Sequence, residues 1–111
     1  MVRYKKNVGD NGEDFAARLL ADSGYEILER NYRTKYVEID IIACRDGVLH
    51  FIEVKTRTGM DYGRPAEAVT DEKKMRLRRA TEAYMNRRRS YWRSISLDVF
   101  EVYANLITDC I

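Results

Sequence analysis

A chain of 111 residues with 45% hydrophobic and 34% charged residues has the composition of a folded domain, which excludes a disordered chain and a membrane protein. At this length about two-thirds of the unfolded surface is buried on folding, so residues 1–111 are expected to form one domain without disulfide or metal staples. The net charge of +2 hides a sorted distribution: Asp71–Arg93 carries nine Lys or Arg against three acids, which leaves the rest of the chain at −4, and such a basic surface attracts polyanions.

In chain order, the opening MVRYKKNVGDNGEDF has no apolar stretch of the signal-peptide kind, and no later run approaches the roughly 20 apolar residues that span a bilayer. The expected compartment is the cytoplasm, with no membrane partner. Asp10 followed by Glu13 resembles a capping box, placing a helix start near Asp10, and Phe15, Ala16, Leu19 and Leu20 share one helical face. Gly24 is the expected stop. Tyr25–Arg33 alternates and reads as a first strand.

Tyr36–Cys44 is a second strand, expected to put Val37, Ile39 and Ile41 on one face and Glu38, Asp40 and Ile42 on the other. The Asp46-Gly47 pair then supplies the positive φ of a tight hairpin. Val48–Thr56 is a third strand with Phe51, Glu53 and Lys55 on one face and His50, Ile52 and Val54 on the other. The stretch Arg57–Thr70, with two Gly and the one Pro, reads as a long and therefore functional connection.

Asp71–Ser90 is a second helix, capped by Thr70, with Leu77, Ala80, Thr81, Tyr84 and Met85 along an apolar stripe. Ser94–Tyr103 is a last strand. The order predicts an α/β fold, α-β-β-β-α-β, in which a mixed sheet is flanked by helices. Cys44 and Cys110 lack metal or redox spacing and read as reduced thiols.

The charges in the hairpin carry the chemistry. Period-2 alternation places Glu38 and Asp40 on one side of their strand and Glu53 and Lys55 on one side of theirs, so pairing would make all four converge. Ionised groups in a half-buried sheet face are unfavourable unless paired or metal-bound. Cross-strand salt bridges are the plain explanation. A site for a hard cation, Mg²⁺ or Mn²⁺, is the functional one: Asp40 and Glu53 as carboxylate ligands, the Val54 carbonyl in reach of the same ion, and Lys55 beside it to orient an attacking water. His50, on the face opposite Glu53, reads as structural. Arg57, Lys73, Lys74, Arg78 and Arg79 are the candidate nucleic-acid contacts. Tyr62, Tyr91 and Trp92 are aromatic neighbours of the basic surface, and Tyr84 falls at core spacing.

Asp40 followed by Glu53-Val54-Lys55 resembles the PD-(D/E)XK nuclease superfamily. The segments GEDFAARLLADSGYEILERNYR, EIDIIA, FIEVKTR and AVTDEKKMRLRRATEAY together resemble the YraN-like family of small bacterial endonuclease-like proteins, akin to Holliday junction resolvases, from Gly12 to about Tyr103. Val37 stands where that family commonly has Gly. The resemblance implies a restriction-endonuclease-like core and a Mg²⁺- or Mn²⁺-dependent endonuclease acting on DNA, with branched or junction DNA as a candidate substrate. It also implies Glu13 as a further catalytic carboxylate and, by analogy with resolvases, a homodimer. The alternative is a nucleic-acid-binding module in repair, recombination or uptake that cleaves slowly or not at all.

Overall fold

The computed structural model describes residues 2–58, 70–87 and 92–104, with side chains for 11–57, 70–87 and 92–103. The elements run α1 (Val2–Asp22), β1 (Glu26–Arg33), β2 (Glu38–Arg45), β3 (Val48–Thr58), α2 (Asp71–Arg87) and β4 (Ser94–Ala104), the order read from the sequence.

The local signals explain most boundaries. Gly24 adopts φ 94°, the Tyr25 N–H reaches the Leu20 carbonyl at 3.0 Å and the Gly24 N–H reaches Ala21 at 3.1 Å, which is a Schellman stop. Asp46 and Gly47 both have positive φ, 51° and 78°, so the β2–β3 connection is a two-residue turn whose twist matches the strands. Thr70 caps α2, its hydroxyl accepting from the Lys73 N–H at 3.2 Å. The β3 strand runs two residues further than its apolar pattern, taking Arg57 and Thr58 out of the connection. Residues 59–69, including Tyr62 and Pro65, and residues Tyr91 and Cys110 lie outside the described part of the chain.

The start of α1 differs from the sequence reading. The helix begins at Val2, so Asp10 is interior and Glu13 is not at a helix N-terminus. The polar, glycine-containing run around Asp10 was a misleading cap signal, because Gly12 serves packing: a Cβ there would stand 2.0 Å from Thr56 Oγ1. This close approach seats α1 on β3 and carries Glu13 to the strand ends. Gly12→Ala is expected to destabilise the fold by about 1–2 kcal/mol, because the overlap outweighs the helix propensity gained by losing a glycine. Urea melts of Gly12→Ala, Thr56→Ala and the double variant check this, the double variant recovering part of the loss.

The sheet order is β1-β2-β3-β4. β1, β2 and β3 pair antiparallel, whereas β4 joins β3 in parallel, Val48 opposite Ser94 through Thr58 opposite Ala104. A parallel neighbour requires a crossover, and α2 provides it. One core lies under α1, where Ala16, Ala17 and Leu20 meet Ile41, Ala43 and Ile52. The other lies under α2, where Ala80 and Tyr84 meet Ile39, Ile42, Leu49 and Phe51. The central strands are thus apolar on both faces, as strands covered on both sides must be.

The alternation expected for β2 does not hold throughout. Val37, Ile39 and Ile42 pack under α2 while Ile41 and Ala43 pack under α1, so the parity changes between Ile39 and Ile41. β1 turns with it: Asn31, which lies between the pairs Arg30–Ile41 and Tyr32–Ile39, has φ 52°, a conformation asparagine tolerates better than most residues. A register shift between Ile27 and Glu29 adds to the twist of this strand pair. Asp40 sits at the change of parity.

Candidate metal and phosphate site

β2 and β3 pair from Arg45–Val48 as far as Ile41–Ile52. At the next position the carboxylate of Asp40 accepts the Val54 N–H at 2.8 Å. A side chain thus takes over at the notch where the ladder stops, and the charges of Glu53 and Glu38 act on it there. Because of the change of parity, the four hairpin charges do not share one sheet face. Asp40 is hydrogen-bonded to Glu13 of α1, whereas Glu53 and Lys55 lie toward α2. Glu38 is exposed and lines a recess with Glu53, Lys73 and Leu77.

Glu53 is closely held. Its two carboxylate oxygens each accept from Lys73 Nζ at 2.9 Å, and Lys55 Nζ stands 3.4 Å from Oε1. Partial burial opposes its ionisation, but the hydrogen bonds and charge of Lys73, with the charge of Lys55, outweigh this and hold the carboxyl below its ordinary range. Asp40 is shifted the other way. Burial is the largest cause, and the negative charges of Glu53 and Glu38 add to it, overcoming the Val54 and Glu13 hydrogen bonds that favour its carboxylate. The pattern is a concentration of negative charge relieved on the Glu53 side by two ammonium groups and on the Asp40 side by the hydrogen bonds of Val54 and Glu13.

Among the described residues, no three Asp, Glu, His or Cys side chains are arranged to hold a metal ion as they stand. The donor chemistry nevertheless suits a hard cation. The groups are carboxylates, Asp40 is disfavoured as an anion by burial and then by its acidic neighbours, and Glu53 already binds a cation through both oxygens.

Lys73, expected as a nucleic-acid contact on the basic helix, is a partner of Glu53. The signal was present: Lys73 lies one turn before Leu77 and continues the stripe Leu77, Ala80, Thr81, Tyr84, so it must face the sheet. Arg57 is also engaged, its mostly buried side chain 3.3 Å from Glu101. Lys74, Arg78 and Arg79 are exposed on α2, with the Arg79 guanidinium 5.9 Å from the Tyr36 ring centroid. Trp92 is half-buried against Tyr84 and not free to stack on a base. His50 is structural, as read: its Nδ1 lies 2.6 Å from Asp98 and its ring packs edge-on against Tyr25. Asp98 was the partner that sequence reasoning lacked. Cys44 is a free thiol. No helix among the described residues is long and apolar enough to cross a membrane.

Comparison with known proteins places the chain in a family. The model of the uncharacterised protein family UPF0102 matches residues 12–102, which begins at the glycine that seats α1 and ends in β4. A UPF0102 protein of Moorella thermoacetica is 46% identical over 103 residues, 93% of this chain and 86% of that protein. One from Nocardia farcinica is 44% identical over 101 residues, 91% and 80% of the two chains. One from Rhodococcus opacus is 43% identical over 95 residues, 86% and 80%. The matched span includes Glu13, Asp40, Glu53, Lys55 and Lys73, and the chain belongs to the UPF0102 family, the YraN-like family its motifs resemble.

Proposed function

We propose that this protein is a divalent-metal-dependent endonuclease that hydrolyses DNA phosphodiester bonds, with branched DNA as its preferred substrate. The observation that carries the reading is the notch where β2 and β3 part. Asp40 and Glu53 flank it from the α1 and α2 sides, near enough for the charge of Glu53 to act on Asp40, with Lys55 3.4 Å from Glu53. Asp40, Glu53 and the Val54 carbonyl would hold Mg²⁺ or Mn²⁺, which when bound supplies stabilisation of phosphate charge and an acidified water.

The chain's own groups account for the rest of the chemistry. Lys55, half-exposed at the notch, presents its ammonium where it can orient the attacking water and offset charge developing on the phosphate. Glu13, tied to Asp40, keeps that carboxylate in place and adds a further carboxyl group to the site. Lys74, Arg78 and Arg79 form a cationic face on α2 suited to the DNA backbone. A second reading, a nucleic-acid-binding module without cleavage, is favoured by one observation: Lys73 occupies both oxygens of Glu53.

Labelled four-way junctions, flaps, nicked and linear duplexes, and single-stranded DNA and RNA, each with Mg²⁺ or Mn²⁺, separate the two. Cleavage of branched DNA over linear duplex supports the enzyme. Tight binding without cleavage of any substrate supports the binding module. For either one, DNA affinity is expected to fall steeply with salt, and replacing Arg78 and Arg79 with Ala should reduce the slope of log K against log salt by about one contact each. A slope unchanged in the double variant would place the DNA elsewhere on the protein.

A further inference from the structure

We propose that Lys73 is the resident cation of the metal position, occupying the Glu53 carboxylate when no divalent ion is bound and leaving it when one arrives. The proposal rests on the reading that Asp40 and Glu53 hold such an ion. Two observations and one physical argument lead to it. Lys73 Nζ lies 2.9 Å from both Glu53 oxygens, so it sits on the same two oxygens a metal would use. A divalent ion and an ammonium sharing those two oxygens would be close neighbours of like charge, which disfavours joint occupancy. Lys55, by contrast, approaches Oε1 alone, at the longer distance of 3.4 Å, and can remain.

The geometry also allows the exchange. Lys73 stands on the first turn of α2, whose backbone is fixed independently by Thr70: the Thr70 hydroxyl accepts the Lys73 N–H, and its carbonyl accepts the Lys74 N–H at 2.9 Å. The side chain is 39% exposed, and its flexible four-carbon stem can swing to water without moving the helix. Exchange of one cation for another leaves Glu53 neutralised in both states. Glu53 thereby remains an ordered carboxylate in the metal-free protein despite its partial burial, which an unpaired charge there would not favour.

Isothermal titration with Mn²⁺ tests the exchange, using wild type, Lys73→Met, Lys73→Gln and, as a control for loss of charge on the same helix, Lys74→Met. Removing the competitor should tighten Mn²⁺ binding roughly 3- to 10-fold in both Lys73 variants, the range expected for a partly exposed, two-point ion pair. Lys74→Met should change it by less than about 2-fold. In the unmutated protein, ¹⁵N-detected lysine spectra should show the Lys73 ammonium losing its hydrogen-bonded signature on Mg²⁺ titration. Unchanged or weaker Mn²⁺ binding in folded Lys73 variants, or a Lys73 signal unmoved while Mg²⁺ binds, overturns the exchange alone. Absence of Mn²⁺ binding in wild type and every variant overturns the metal reading and the exchange with it.

Discussion

Lys55→Ala is expected to slow metal-dependent DNA cleavage by about 10²- to 10⁴-fold, the usual contribution of one positioned proton-transfer or charge-stabilising group. Stability should change by less than about 0.5 kcal/mol, because the side chain is 45% exposed. Its main contact, Glu53, keeps the Lys73 hydrogen bonds. Metal affinity should not fall, since a cation beside the position is removed. DNA affinity should be nearly unchanged, because one ammonium is lost out of a cationic face carried mainly by α2. Single-turnover cleavage with saturating enzyme isolates the chemical step from binding. Wild-type rates in the variant would remove Lys55 from the mechanism.

Asp40→Asn should give the opposite signature. The amide oxygen can still accept the Val54 N–H that Asp40 now accepts at 2.8 Å, so the strand end is preserved. The negative charge is lost, however, and Mn²⁺ affinity should drop by more than about tenfold, with cleavage failing for want of the ion. DNA binding should tighten, because a carboxylate repelling phosphate has gone. The pH dependence follows from the same group. Burial, followed by the charges of Glu53 and Glu38, raises the Asp40 pKa, so Asp40 takes up its proton at higher pH than an ordinary aspartate. Metal affinity in the wild type should therefore decline on acidification before free carboxylates titrate. Stability linkage has two signs here. Protonating Asp40 favours the folded state as pH falls through its raised pKa. Glu53, held below its ordinary range, contributes stability above that range and loses it as pH falls through the depressed value. Mn²⁺ titrations across mildly acidic pH check the first effect. Its signature is a steep acid limb in wild type.

The elements were legible where one residue decides a boundary. Gly24 ended α1, Asp46-Gly47 turned the hairpin and Thr70 started α2, because each backbone conformation has few residues that can adopt or satisfy it. Tyr84 was legible as core, and His50 as structural, from spacing and parity alone. The start of α1 was not legible, since a capping pattern at Asp10 is local while the requirement for Gly12 comes from Thr56, far along the chain. The change of parity at Asp40 was also hidden. It arises from two strands twisting together, with Asn31 at positive φ across the pair, and an alternation argument assumes regular strands. The partner of Glu53 was missed because a lysine among many cations was read as surface, although its helical position put it in line with the buried stripe.

What Asp40 and Glu53 do together is tested most directly by locating Mn²⁺ through its anomalous scattering in crystals of this protein. One strong peak is expected at the notch, coordinated by Asp40, Glu53 and the Val54 carbonyl. Lys55 should lie beside it, with the Lys73 ammonium withdrawn from Glu53. No peak at millimolar Mn²⁺, with Lys73 still on both Glu53 oxygens, would contradict it.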